Sequence, residues 1–210
     1  MFREHHKTIE TGKAMNSKIT DRQLEIIEAA GKILSASGVA GLTIKNLAKE
    51  MHFSESAIYR HFASKEDIIV AMLEYLAENM DKRYTIALSH GNTPEEKFQL
   101  IFRSQFSFFA GNPHFVVAVF SDGLMGRSER VNRAIGRIMA VKTKYLKPII
   151  EGGQESGIFT SKVKAEELLH LCMGSMRLEM FKWRVSEFQF DLAERGETMV
   201  QALLTLMKCK

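Results

Sequence analysis

Cysteine is scarce in this chain: Cys172 and Cys209 are the two it has in 210 residues. That excludes a small disulfide-stapled fold, and thiols so few are expected to stay reduced in a cytosolic protein. Three prolines and a shortage of alternating β-branched runs argue against a sheet and leave helices. No apolar run approaches the roughly 18 residues of a membrane span. The charged start MFREHHK lacks the apolar centre of a signal peptide, so the expectation is a soluble, cytoplasmic protein with no membrane partner. There is no glycine-rich phosphate loop, no Gly-x-Ser-x-Gly elbow and no Cys-x-x-Cys pair. An enzyme would need a site assembled from residues that no motif connects, and no cofactor is expected.

What is present suits an ordinary globular protein. Hydrophobic residues make up 45% of the chain, enough for a core, and the net charge is a mild +4. Residues 21–68 carry six Lys/Arg against seven Asp/Glu, so nucleic-acid affinity there has to come from a local cluster.

The stretch LTIKNLAKEMHFSESAIYRHFASKED, residues 42–67, has the punctuation of a helix-turn-helix unit. Thr43 is an N-cap, and Ile44, Leu47, Ala48 and Met51 repeat at the spacing of one apolar helix face. Ala48 is small enough for a second helix to cross closely. Ser54 caps that second helix, which turns Ala57, Ile58 and Phe62 inward and leaves Glu55, Ser56, Tyr59, Arg60 and His61 on its other sides. Ser64, with Asp67 three residues on, opens a further helix at Lys65. Upstream, Thr20 and Gln23 form a capping box, and Leu24, Ile27, Ala30 and Leu34 trace a helix that Gly38 stops in a left-handed conformation.

GLTIKNLAKEMHFSESAIYRHFASKEDI resembles the N-terminal domain of TetR-family (tetracycline-repressor-like) bacterial transcriptional regulators. The shared features are a threonine opening the second helix, an aromatic-x-His-Phe run closing the third and Ser-Lys-Glu opening the fourth. The likeness covers roughly residues 21–70. It implies that Tyr59 and His61 bond phosphates, and that Lys65 and the backbone N–H groups behind Ser64 hold another phosphate. Glu55, Ser56 and Arg60 then stand where base edges can be reached, with Arg60 on a guanine worth roughly 1–3 kcal/mol. Thr43, Lys45 and Ser54 complete the DNA-facing set. The bland alternative is a solvated helix face. His52 departs from the family's turn glycine, and histidine tolerates a left-handed backbone at some cost.

The expected architecture is all-α: a tail over 1–19, a three-helix DNA-binding head over 20–67 and a larger ligand-binding and dimerisation domain over 68–210. In the tail, Lys7, Lys13 and Lys18 suit an arm along DNA better than His5 and His6 suit a metal. Thr93, Pro94 and Glu96 open a helix that carries Phe98, Phe102, Phe106 and Phe109. A long helix runs through Ile135, Ile138, Met139, Lys142 and Tyr145, with Pro148 a possible kink.

Two strong helices, about Lys164–Val185 and Asp191–Met207, carry more apolar surface than one neighbour covers, and the resemblance makes them a homodimer interface. Phe102, Phe106, Phe109, Phe120, Met139, Tyr145, Met173, Met176, Arg177 and Met180 are candidates to line a pocket for a small, largely hydrophobic effector; for each the alternative is plain core. Arg177 suits a carboxylate or a neighbouring Glu equally. Glu166 and His170 lie at i, i+4 but have no third ligand, so no metal is expected. The function implied is a repressor released from its DNA operator by that effector. The rivals are a helical enzyme, or a protein-partner adaptor, that carries a helix-turn-helix head.

Overall fold

The computed structural model describes residues 19–120, 124 and 128–209. The basic arm expected in the tail, and most of the irregular segment expected over 121–128, lie outside them.

Helix starts fall where the side-chain caps put them. The Thr20 hydroxyl accepts from the Gln23 N–H and Gln23 reaches back to the Thr20 backbone, opening α1 (Asp21–Gly41). Gly38 breaks that helix with φ 64 and ψ −171, outside the left-handed helical well expected for it, and a last turn follows to Gly41. Thr43 caps α2 (Ile44–Glu50), Ser54 caps α3 (Glu55–Tyr59) and Ser64 caps α4 (Lys65–Leu88). The turn between α2 and α3 contains His52 at φ 55, so the position does require the left-handed region that the histidine occupies in place of glycine.

Beyond α4 come α5 (Pro94–Gly111), α6 (His114–Phe120), α7 (Glu129–Glu155), α8 (Ala165–Val185) and α9 (Leu192–Met207). Pro148 sits inside α7 without ending it. Head and body share one buried cluster, because α1 packs on both α4 and α6, and α4 runs unbroken across position 68.

The aromatic stripe of α5 is buried, with Phe106 against α9, Phe98 against Phe159 and Phe109 against Phe120. Phe98, Phe102, Phe106 and Phe109 are all buried, and a Cβ on Gly196 would come within 2.3 Å of the Phe106 ring, so α9 lies directly against it. Between α4 and α5 a polar group is enclosed in the core. Arg83 donates to the Ser104 carbonyl at 2.8 Å and to Gln105 at 3.1 Å, while the Tyr84 hydroxyl donates to Gln105 at 3.0 Å. Every buried polar atom in that group has a partner, which a buried amide and guanidinium require.

α4 and α7 lie side by side and run in the same direction, joined by ion pairs that repeat every seven residues. Arg130 meets Asp67 at 2.7 Å, Arg137 meets Glu74, and Lys144 meets Asp81 at 2.7 Å. Tyr145 adds its hydroxyl to Asp81 at 3.0 Å. Pairs this exposed stabilise little individually; what a heptad-spaced row fixes is the register of one helix on the other.

Candidate nucleic-acid interface and ligand cavity

The head presents a continuous exposed edge. Ile58 is fully buried and Phe62 nearly so, which pins α3 to the head core and turns Tyr59, Arg60, Glu55 and Ser56 outward. Tyr59 is 52% exposed, a large apolar ring with a hydroxyl that nothing in the protein explains by packing. Thr43 and Lys45 are exposed at the start of α2, and the Ser54 hydroxyl lies 2.9 Å from that of Ser56. His61 is half-buried, its carbonyl accepting from Gln23 of α1 at 3.3 Å.

Lys65 is placed differently from a free phosphate contact. Its ammonium donates to the Val39 carbonyl at 2.7 Å, holding the start of α4 to the end of α1. Lys65→Ala therefore removes an internal hydrogen bond of about 1 kcal/mol as well as a positive charge, and cannot be a pure DNA-contact probe.

The joint behind α3 is gripped from the body. Ser64 donates to Asp67 at 2.8 Å, and Asp67 in turn accepts from Arg130 at the start of α7. The Arg130 hydrogen bond, then the Ser64 one, hold the Asp67 carboxyl below its usual range against some desolvation. A depressed carboxylate stabilises above its ordinary pKa and loses that stabilisation as pH falls through the folded value, so this tie is intact at neutral pH and opens only in acid.

A cavity of about 260 Å³ opens between α6, α7 and α8. Its wall is Val119 and Phe120 from α6, Ile135, Ile138, Met139 and Lys142 from α7, and His170, Met173, Gly174 and Arg177 from α8. Of the residues predicted to line a pocket, Phe120, Met139, Met173 and Arg177 are on this wall. The others are elsewhere. Phe102 and Phe109 are packed in the core on the α5 stripe, Phe106 borders a separate hollow of about 230 Å³ between α5 and α9, and Met176 and Met180 are buried on the inner side of α8. Tyr145 is bonded to Thr85 at 2.7 Å and to Asp81. Helical spacing identifies an apolar face but not which neighbour covers it: α9 covers Phe106, while Phe109 packs behind the wall residue Phe120 at 5.8 Å between ring centroids.

Lys142 and His170 are wall residues that sequence reasoning passed over as functional. The signal for Lys142 was present: a lysine continuing the inward stripe Ile135, Ile138, Met139. His170 pairs with Glu166 at 3.7 Å, and no metal-binding cluster of three such side chains occurs among the described residues.

The cavity is connected to the head by two routes. Phe120 at one end of α6 lines it, while His114 and Phe115 at the other end press on α1, where a Cβ on Gly31 would meet His114 at 2.8 Å. The second route is α7, which bears cavity residues on one side and the ion-pair row to α4 on another.

α8 also carries an uncovered apolar face. Leu171 is 60%, Leu178 50%, Phe181 60% and Val185 65% exposed, and Leu206 of α9 is 78% exposed. No helix among the described residues is long and apolar enough to cross a membrane.

Known proteins are similar to the chain along most of its length. The Nucleoid occlusion factor SlmA of Vibrio vulnificus (strain YJ016) is 26% identical over 86% of this chain and 93% of its own. Two solved structures share the fold. The fatty acid degradation regulator FadR from Bacillus halodurans superposes with a TM-score of 0.81 at 18% identity, over 90% of this chain and 97% of that one. The transcriptional regulator FadR from Bacillus subtilis, in complex with stearoyl-CoA, gives 0.77 at 20% identity, over 88% and 98%. Residues 26–72 match the bacterial regulatory proteins of the tetR family, and residues 72–206 match the YsiA-like protein C-terminal region. With both parts of the chain matched in this way, the protein belongs to the TetR family of DNA-binding transcriptional regulators, and to its members with a YsiA-like C-terminal region.

Proposed function

We propose that the protein is a homodimeric repressor whose operator affinity is lowered by a small, largely hydrophobic effector held between α6, α7 and α8. The observation that carries the reading is the apolar cavity, two of whose three wall helices, α6 and α7, also touch the head. A ligand that prefers one arrangement of α6 and α7 biases the position of α1 and α4, by no more than its difference in affinity for the two arrangements. The B. subtilis relative binds stearoyl-CoA, and an acyl or similarly apolar body suits walls of Phe120, Ile135, Ile138, Met139 and Met173.

In this reading Thr43, Lys45, Ser54, Tyr59, His61 and Lys65 position the head on phosphates while Glu55, Ser56 and Arg60 reach base edges. Lys65 does so only by sharing or leaving the Val39 carbonyl. The functional division is a head over residues 20–67 and a sensor and dimerisation body after it, with the exposed faces of α8 and α9 pairing with their copies. The protein acts in the cytoplasm, where the DNA is.

Selection from a random duplex library tests this. The expected product is a two-fold symmetric site with half-sites about 34–36 Å apart, bound by a dimer. A panel of medium- and long-chain acyl compounds should then contain members that release the duplex. Enrichment of no sequence, or of an unsymmetrical site bound by a monomer, would count against it.

A further inference from the structure

Lys142 is 3% exposed, yet its chain forms part of the cavity wall. Its ammonium lies 5.3 Å from the centroid of the Phe120 ring, itself a wall residue. Among the described residues Lys142 makes no ion pair and no hydrogen bond, unlike the buried carboxylate Glu179, which is held by Arg195 at 3.1 Å and Lys182 at 3.5 Å. A buried ammonium without an anion is unfavourable unless something supplies one. Arg177 and His170 of α8 face the same space, and the α6 contribution, Val119 and Phe120, is apolar.

We propose, on the basis of the function above, that Lys142 is a specificity-determining residue which selects an effector bearing an anionic oxygen group, such as a carboxylate, directly on its apolar body. The methyl, aromatic and aliphatic side chains of the wall take the body, and the Lys142 ammonium, backed by the positive potential of Arg177, takes the charge. A neutral analogue of equal shape fills the same walls but leaves the ammonium without an anion, so it binds less tightly.

The pairing also couples binding to proton uptake. Burial, and next the Arg177 charge, push Lys142 down to about 8 in the empty protein. A bound anion favours the charged form and raises that value. Without ligand, the unfolded chain holds the lysine proton between about 8 and the ordinary 10.5 while the folded protein does not, so stability from this group rises with pH there. With the anion bound that gain shrinks, and affinity falls as pH climbs through 8 and above.

The test uses full-length protein, isothermal calorimetry and three probes: decanoic acid, its methyl ester and decanoyl-CoA, whose charges are remote from the thioester. For the wild type the acid is expected to bind at least about 10-fold tighter than the ester, the scale of one charge-assisted hydrogen bond. Its affinity should weaken between pH 7 and 9.5. Lys142→Met, which keeps the bulk, should bind acid and ester alike with no pH dependence, and Lys142→Arg should keep the preference while losing the pH dependence. Equal binding of acid and ester by the wild type, or a preference that survives in Lys142→Met, overturns the assignment. Tight decanoyl-CoA binding unaffected by Lys142→Met, with the acid unbound, overturns it too, while duplex release by that thioester would leave the repressor reading standing. A protein that binds none of the three probes overturns the assignment as well.

Discussion

Tyr59→Ala combined with His61→Ala is expected to weaken binding to an operator duplex by about 100-fold or more, because in the proposed function each makes a hydrogen bond to a phosphate, a contact worth roughly 1.5–3 kcal/mol. In a dimer both losses occur twice. The Tyr59 ring is half in solvent and caps no helix, so the melting temperature should move little. Ile58, one position earlier, is fully buried, and its replacement by alanine should unfold the head instead, at about 2–5 kcal/mol. The two outcomes separate contact from scaffold. Fluorescence anisotropy on a labelled duplex, with a thermal melt of the same preparation, measures both. Unchanged affinity in the double variant would remove this edge from the DNA.

Leu178→Glu with Phe181→Glu is expected to give a monomer whose operator binding is weaker by several orders of magnitude. Leu171, Leu178 and Val185 recur every seven residues with Phe181 between them, the spacing of a helix–helix seam, and all are at least half exposed in the single chain. Covering the exposed half to two thirds of such a side chain is worth roughly 1–2 kcal/mol, and two copies contribute eight of them. That is comparable to the roughly 4–15 kcal/mol that association costs, so these side chains carry a large share of what a dimer needs. Two carboxylates per chain at the centre of the seam reverse the sign, since each must be desolvated without a partner. Size-exclusion chromatography with light scattering should report about twice the 23.8 kDa chain mass for the wild type and the chain mass for the variant. A wild-type monomer at micromolar concentration would refute the interface.

The head was legible because its signals are local. Thr20, Thr43, Ser54 and Ser64 each cap the helix that follows them in sequence, and side chains three residues apart suffice to predict it. His52 at positive φ was readable for the same reason. The body was legible as helices but not as a site. Phe102, Phe106 and Phe109 look the same in sequence whether they line a cavity or pack on other side chains, and only the tertiary contacts of each, such as Gly196 on Phe106 and Phe120 on Phe109, decide. The row of Asp67, Glu74 and Asp81 against Arg130, Arg137 and Lys144 has a visible seven-residue repeat in each helix. Its meaning depends on α4 and α7 being neighbours, a long-range fact that no window of sequence contains. Lys65 shows the opposite limit: its charge and position are plain, but its hydrogen bond to Val39 spans 26 residues.

The coupling of cavity to head is tested most directly by filling the cavity without a ligand. Met173 lies on its wall, and Met173→Trp places an indole in the space. Anisotropy of a selected operator duplex should show affinity reduced by about 10-fold, within the usual 1–3 kcal/mol range of coupling between sites, with the dimer intact. Operator affinity equal to or tighter than that of the wild type would contradict release through this cavity.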